Sequence, residues 1–381
     1  AWCRSVNIPP PASLAEDSME CIAWENTFGA MFPVVDAMRS YRKSNTYIKK
    51  LRLVELLLRP DGTIPLDAMY AAAPHTLRWS GRTFNHQSLP RDPKVCDLRG
   101  CLVPPAGQRW VASDLAQIEA RCLPWLAGDQ EAISMLSKMD IYEYYARRFG
   151  WYKDPRPLKQ VDKMLRHAAK CTVLQLGYQS SANKFAWYLA TSEDVPAGTV
   201  DRVRLEGESD LDVSKRLVST YRSCNDKITS LWRDNHRELV WACELQQDAV
   251  FQVPNGREVK YRSLHRTERT KVNAEGIPET KIAIVGLPCL GEEPRDLYGG
   301  KITENICQHT ARDVVAECIW RVEKAGIPVS FTVHDELVAR VDAGQAKDAA
   351  AELERLMSVT PDWLEGCPIA AEASVLERYA K

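Results

Sequence analysis

Apolar and polar positions along this chain fall into two alternating kinds of pattern. From about residue 12 to 60 the apolar residues recur at helical spacing, and the run closes on Arg59-Pro60-Asp61-Gly62, a turn signal. A polar, Arg-rich stretch follows from Arg78 to Arg91, and then a short apolar strand, Trp110-Val111-Ala112-Ser113-Asp114-Leu115. Helical spacing resumes from Ile118 to Phe149 with one break at Gly128-Asp129. It continues over 158–190 as one long helix and its successor and, after a polar loop at 191–210, runs to about 247. Phe251 to Tyr261 reads as a hairpin, with Asn255-Gly256 supplying the turn positions that need positive φ. A charged loop is expected near 266–280, a helix over about 301–325, a strand–turn–strand unit around Asp335 and a final helix over roughly 344–358. Helices interleaved with antiparallel strands predict an α+β protein, its sheet interrupted by a helical insertion.

Composition narrows the picture only a little. A chain of 381 residues has room for two or three subdomains, and 45% hydrophobic with 27% charged residues is ordinary for a globular protein. No apolar run reaches membrane-spanning length and no signal peptide is visible, which predicts a cytoplasmic protein without a membrane partner. The 12 cysteines are scattered and form no CxxC pair, as expected of reduced thiols. With a net charge of −1, a polyanionic partner would need a local basic groove. Two stretches offer one: Arg39, Arg42, Lys43, Lys49, Lys50 and Arg52, and then Arg156, Lys159, Lys163, Arg166 and Lys170. Taken singly, each fits a solvated helix face equally well.

Candidate chemistry sits in three segments. Ser330-Phe331-Thr332-Val333-His334-Asp335-Glu336-Leu337-Val338 places an acidic pair between two apolar runs, so that a tight turn presents Asp335 at its tip. Asp114 ends another apolar strand far upstream. Two aspartates on adjacent strand ends can hold a pair of divalent cations, an arrangement suited to phosphoryl and nucleotidyl transfer. Either segment alone is weak, because strand-end aspartates commonly accept backbone N–H bonds. The third segment is more specific: Arg166, Lys170, Leu174 and Tyr178 recur every four residues, which on a helix forms one slowly drifting stripe. Cations at its first end and an aromatic at its last match the order of phosphates, sugar and base in a nucleoside triphosphate.

Together these segments resemble a known family. Asp114-Leu115-Ala116-Gln117-Ile118-Glu119-Ala120-Arg121, the stripe helix and Val333-His334-Asp335-Glu336 look like motifs A, B and C of the family A DNA polymerases, in that order. Tyr298-Gly299-Gly300-Lys301 through Glu304 and Gln308, Leu77-Arg78-Trp79-Ser80, and Asn85 through Arg91 extend the likeness over most of residues 40–381. Leu174 through Gln179 and Asp140-Ile141-Tyr142 are similar to the phage and prophage branch.

The resemblance implies a right-hand polymerase fold with an antiparallel-sheet palm, helical fingers and a partial helical thumb. It divides the chain into a helical N-terminal region at 1–75, palm at 76–128, fingers at 129–285 and a second palm part at 286–381. It implies template-directed DNA synthesis with two Mg²⁺ ions, for which Mn²⁺ can substitute, held by Asp114, Asp335 and the Leu115 carbonyl. Arg166 would grip the outer phosphates, and Lys170 would sit near the α–β bridge and protonate the departing pyrophosphate. Glu119, hydrogen-bonded to Tyr178, would exclude a ribose hydroxyl, with Gln117 lining the same pocket. Leu174 stands where many members carry an aromatic that sets dideoxynucleotide rejection, Tyr142 where several carry a phosphate-contacting histidine, and Gln179 where many have glycine. Arg78 and Gln308 would donate to minor-groove acceptors present in every base pair. His334 and Glu336 would lie near the primer terminus. Expected partners are primer–template DNA, dNTPs and a processivity factor or other replisome protein, in the bacterial host's cytoplasm if the chain is phage-encoded. A single-subunit RNA polymerase should lack the acidic gate at Glu119, and an inactive DNA-binding relative need not keep the metal ligands. With only about forty residues before the segment at Lys43 that resembles the thumb, no 3′→5′ exonuclease is expected.

Overall fold

The computed structural model describes residues 2–11, 14, 19–89, 96–192, 194–272 and 278–379. Its N-terminal part is helical: α1 (Trp2–Ser5), α2 (Met19–Phe28) and the long α3 (Pro33–Leu57), with Pro33 in the first turn, where no N–H is needed. A small ladder of β1 (Ala68–Met69) and β2 (Ser80–Gly81) precedes the first long strand, β3 (Gln108–Leu115). Pro90 and Arg91, which close one of the resembling segments, lie outside the described residues.

The region after β3 carries one more break than its apolar spacing suggests. It contains α4 (Ile118–Leu126), α5 (Gln130–Leu136) and α6 (Ile141–Arg148). The second break has a local cause: Asp140 caps α6, its carboxylate accepting from the backbone N–H groups of Tyr142 and Glu143. The single long helix expected over 158–190 is likewise three pieces, α7 (Leu158–Val161), α8 (Lys163–Leu176) and α9 (Ala182–Thr191). Asp162 leaves the helical region at φ −146° and caps α8 by accepting from Leu165 N–H. Two longer helices follow, α10 (Asp210–Cys224) and α11 (Asp226–Glu244).

A four-stranded antiparallel sheet comes next, in the order β4 (Ala249–Gln252), β5 (Glu258–Val272), β6 (Pro278–Pro288) and β7 (Arg295–Leu297). The charged loop expected at 266–280 is instead largely ladder, paired from Tyr261 with Pro288 to Val272 with Pro278. Much of it is exposed and is held by cross-strand polar contacts such as Thr270 with Thr280 at 3.0 Å, so it lacks the apolar alternation that marks a half-buried strand. The division expected at 285/286 falls inside β6.

The chain then returns through α12 (Gly299–Lys324) to the first sheet, adding β8 (Val329–Val333), β9 (Glu336–Asp342), α13 (Ala346–Met357) and β10 (Ala371–Leu376). Its strand order is β10-β3-β9-β8, antiparallel throughout. Side chains alternate between faces along each strand. Val111, Leu115, Leu337 and Ala339 join the large core shared with the helices, while Trp110, Ala112, Phe331, Val333 and Val338 form a second cluster with Tyr379. The inner strands are therefore covered on both faces near the site, while the edge strand β10 exposes Glu372 and Val375. Among the described residues no helix is long and apolar enough to cross a membrane.

Candidate active site

Burial on both sheet faces fixes the register that brings the two aspartates together. Asp114 pairs across the ladder with Glu336, and Leu115 N–H donates to the Asp335 carbonyl at 3.2 Å. His334, exposed and left-handed at φ +57°, makes the tight turn that sets Asp335 at the hairpin tip. Burial, and then the negative charge of Asp114, push the Asp335 carboxyl up to about 6. Two clefts flank this turn. One of about 220 Å³ is lined by Asp114, Asp335, Glu336, His334 and Arg99, and the other, of about 280 Å³, by Arg78, Asn85, Gln87, His334 and Asp335 among others.

This donor set fits a hard divalent cation. Among the described residues no cluster of three or more histidine, cysteine or acidic side chains could form an all-protein metal cage. Mg²⁺ does not need one: it usually takes one or two carboxylates and completes its shell with water and substrate phosphates. Asp114, Asp335 and the Leu115 carbonyl offer that kind of partial shell.

The segment after β3 then reaches both ends of α8. Gln117, at φ +57°, turns the chain into α4 and donates from Nε2 to Asp140 Oδ2 at 3.1 Å. Asp140 also takes Arg166, whose Nε and Nη2 donate to its two oxygens at 3.1 and 2.6 Å. Burial alone would raise the Asp140 carboxyl, but the hydrogen bonds from Arg166 and Gln117 outweigh it and hold it below its usual value. The Arg166 guanidinium lies 5.0 Å from the Tyr142 ring centroid, and burial pushes the phenol of Tyr142 far above its ordinary range. At the other end, Glu119 accepts from Tyr178 at 3.3 Å, from Gln308 at 3.5 Å and from Arg78 in an ion pair.

The stripe expected on α8 is the less buried side of the helix. Leu165, Ala168, Ala169, Thr172, Val173 and Leu176 face the core, while Lys170 is exposed and Arg166 and Leu174 are partly so. Tyr178, however, lies beyond the helix, which ends at Leu176. Its position is set by a tight passage: a Cβ on Gly300 would come within 2.5 Å of the Tyr178 carbonyl oxygen, so α12 can start there only with glycine. Gln179 adopts φ +66° without being glycine, and its Oε1 accepts the Gly300 N–H at 2.9 Å.

Of the residues singled out from the sequence, Asp114, Leu115, His334, Asp335 and Glu336 lie at the sheet end, Arg166, Lys170 and Leu174 on α8, Tyr178 just past it, Gln117 and Glu119 at the start of α4, Tyr142 on α6, Gln308 on α12 and Arg78 just before β2. Asp140 appeared there only as part of a motif, not as the partner of Arg166; its signal was the Asp140-x-x-Glu143 spacing of a helix start. Arg312, a cation buried in α12, went unnoticed.

No family model matches the chain. It is 28% identical over 422 residues to a DNA polymerase of Bacillus phage SP02, covering 97% of this chain and 60% of that protein. It is 29% identical over 176 residues to the thermostable DNA polymerase I of Thermus caldophilus, covering 45% of this chain and 20% of that protein. Among solved structures, it superposes on the polymerase domain of Pol1 from M. smegmatis, in complex with DNA primer–template and dNTP. The TM-score is 0.66 at 17% identity, over 96% of this chain and 56% of that one. The chain therefore spans little more than half the length of the phage relative. In sequence the chain is similar to these DNA polymerases, and its fold is that of the Pol1 polymerase domain.

Proposed function

We propose that the chain is a template-directed DNA polymerase that adds deoxynucleotides to a primer 3′-OH. One observation carries this reading. The segment running from Asp114 to Glu119 starts at the paired aspartates and is tied to both ends of the cation-bearing helix α8, through Gln117–Asp140–Arg166 and Glu119–Tyr178. A triphosphate lying along α8 would then have its reacting end at the two carboxylates.

Asp114, Asp335 and the Leu115 carbonyl would hold two Mg²⁺ ions. When bound, such ions neutralise triphosphate charge and make the primer hydroxyl more acidic. Arg166 would grip the outer phosphates with a planar fork and exchange Asp140 for them as it does so. Lys170, exposed beside it, would bind nearer the α-phosphate and deliver a proton to the leaving pyrophosphate. Tyr178 and Leu174 would take the sugar and base, with Tyr142 and Gln117 completing the pocket.

Glu119 would stand against the sugar C2′ and reject ribose. It also holds Arg78 and Gln308, which would turn to minor-groove acceptors when duplex arrives, with His334 and Glu336 beside the primer end. On this reading the palm comprises 76–128 and 286–381, the fingers 129–285, and residues 1–75 a partial thumb, with a processivity factor as a further partner. The test is extension of a labelled primer on a template of known sequence with Mg²⁺ and one dNTP omitted at a time. Stops that follow the template are expected, and untemplated addition or no extension would refute the reading.

A further inference from the structure

Gln308 and Arg312 stand four residues apart on α12 and so share one face. The reading above uses Gln308 and leaves Arg312 without a task. Arg312 is only 4% exposed, a strange place for a cation between Ala311 and Val315. Its guanidinium lies 4.2 Å from the ring centroid of Tyr70 and 4.8 Å from that of Trp79, and the two rings meet edge to face. Nη1 donates to Asp313 at 2.8 Å, and Asp313 is also held by Asn255 and Arg257 from the β4–β5 turn. The Nε–H and the Nη2 amino group meet no acceptor among the described residues.

Buried donors left without acceptors weigh against the folded state, so their retention points to a use. Arg312 and Trp79 both line the cavity of about 280 Å³ that ends on Asp335. Its polar wall otherwise offers Arg78, Ser80, Asn85, Gln87, Ser88 and His334, with Asp335 as the one carboxylate. Such a wall complements a ligand rich in acceptors.

We propose that Arg312 is a primer-strand positioning residue. Its Nε–H and Nη2–H groups donate to an acceptor on one of the last nucleotides of the primer, seated in this cavity beside Asp335. The proposal rests on the polymerase reading. The acceptor is either a phosphate oxygen or the N3/O2 edge of a base; both offer the lone pairs that a guanidinium fork needs. The two aromatic rings fix the plane of that fork, so the contact tests where the primer end lies.

Single-nucleotide incorporation by the wild type and R312K decides the matter. Primers carry, at each of their last three positions in turn, a methylphosphonate or a 3-deazapurine. At one position the wild type should slow about tenfold, the loss of one charge-assisted hydrogen bond. R312K should be slow on the unmodified primer and no slower on that modified one. The probe that shows this identifies the acceptor. If every modification slows both proteins by the same factor, Arg312 makes no primer contact and the proposal falls. A wild type that extends no primer would overturn the polymerase reading instead. Should thermal unfolding show R312K misfolded, the structure of the wild-type complex with primer–template decides. A primer acceptor within hydrogen-bond distance of Nε or Nη2 supports the proposal, and a guanidinium enclosed by Tyr70 and Trp79 alone contradicts it.

Discussion

α3 and α12 are helices of almost equal length, 25 and 26 residues, placed in opposite circumstances. Sixteen residues of α12 are buried, and its partners include α4, α11, α13 and β8. Among the described side chains of α3 only Val35 and Tyr47 are buried, while Tyr41, Ile48, Leu51 and Leu56 are exposed. Helical propensity alone barely sustains a helix in water, so packing holds α12 and little of it holds α3. The site follows the same division. Gln308 and Arg312 lie on the packed helix, whereas α3 carries Arg39, Arg42, Lys49, Lys50 and Arg52. Rigid elements position chemistry best, and loosely held basic ones suit a polyanion that must slide.

The largest effect expected short of Asp114 and Asp335 is at Lys170. Replacing it by alanine should lower the single-turnover rate by about 10²–10⁴-fold, as for loss of a general acid. A rate within a few-fold of the wild type would remove it from proton transfer. The two helices themselves can be compared through one substitution. Ile302→Ala in α12, at a fully buried position, should cost about 2–5 kcal/mol in denaturant unfolding. Ile48→Ala in α3, 44% exposed, should cost only about 0.5 kcal/mol. Equal losses would erase the distinction between the two helices.

Glu119→Ala should raise ribonucleotide use relative to deoxynucleotide by roughly 10- to 100-fold, the discrimination one rejected hydroxyl commonly carries. Unchanged sugar preference would assign Glu119 only to holding Arg78, Tyr178 and Gln308. The smallest effect belongs to α3. Lys49→Ala with Arg52→Ala should weaken primer–template binding a few-fold and flatten its salt dependence by about two in the logarithmic slope. The incorporation rate at saturating DNA should not move; a fall in that rate would place α3 in the chemistry.

What could be read beforehand was what has a local pattern. The hairpin around Asp335 and the strand ending at Asp114 announce themselves by alternation and turn chemistry, and the α8 stripe by its four-residue period. Asp140 with Arg166, and Arg312 between two rings, could not be read that way, because a buried polar pairing depends on distant elements meeting. The β5–β6 ladder was missed for the opposite reason: with much of its surface in solvent, its strands need no apolar alternation. Tyr178 kept the period of the stripe yet left the helix, since the close approach of Gly300 decides where α8 can end.

The central claim is that the paired strand ends carry the chemistry while DNA is gripped elsewhere. Asp114→Asn and Asp335→Asn test it most directly, with primer–template affinity by fluorescence anisotropy and single-nucleotide incorporation with Mg²⁺ measured on the same preparations. Both variants should bind DNA within about threefold of the wild type, because phosphate contacts dominate affinity, and should incorporate at least about 10³-fold more slowly. Near-normal incorporation by either variant, with binding intact, would contradict the assignment of the two aspartates as the metal site.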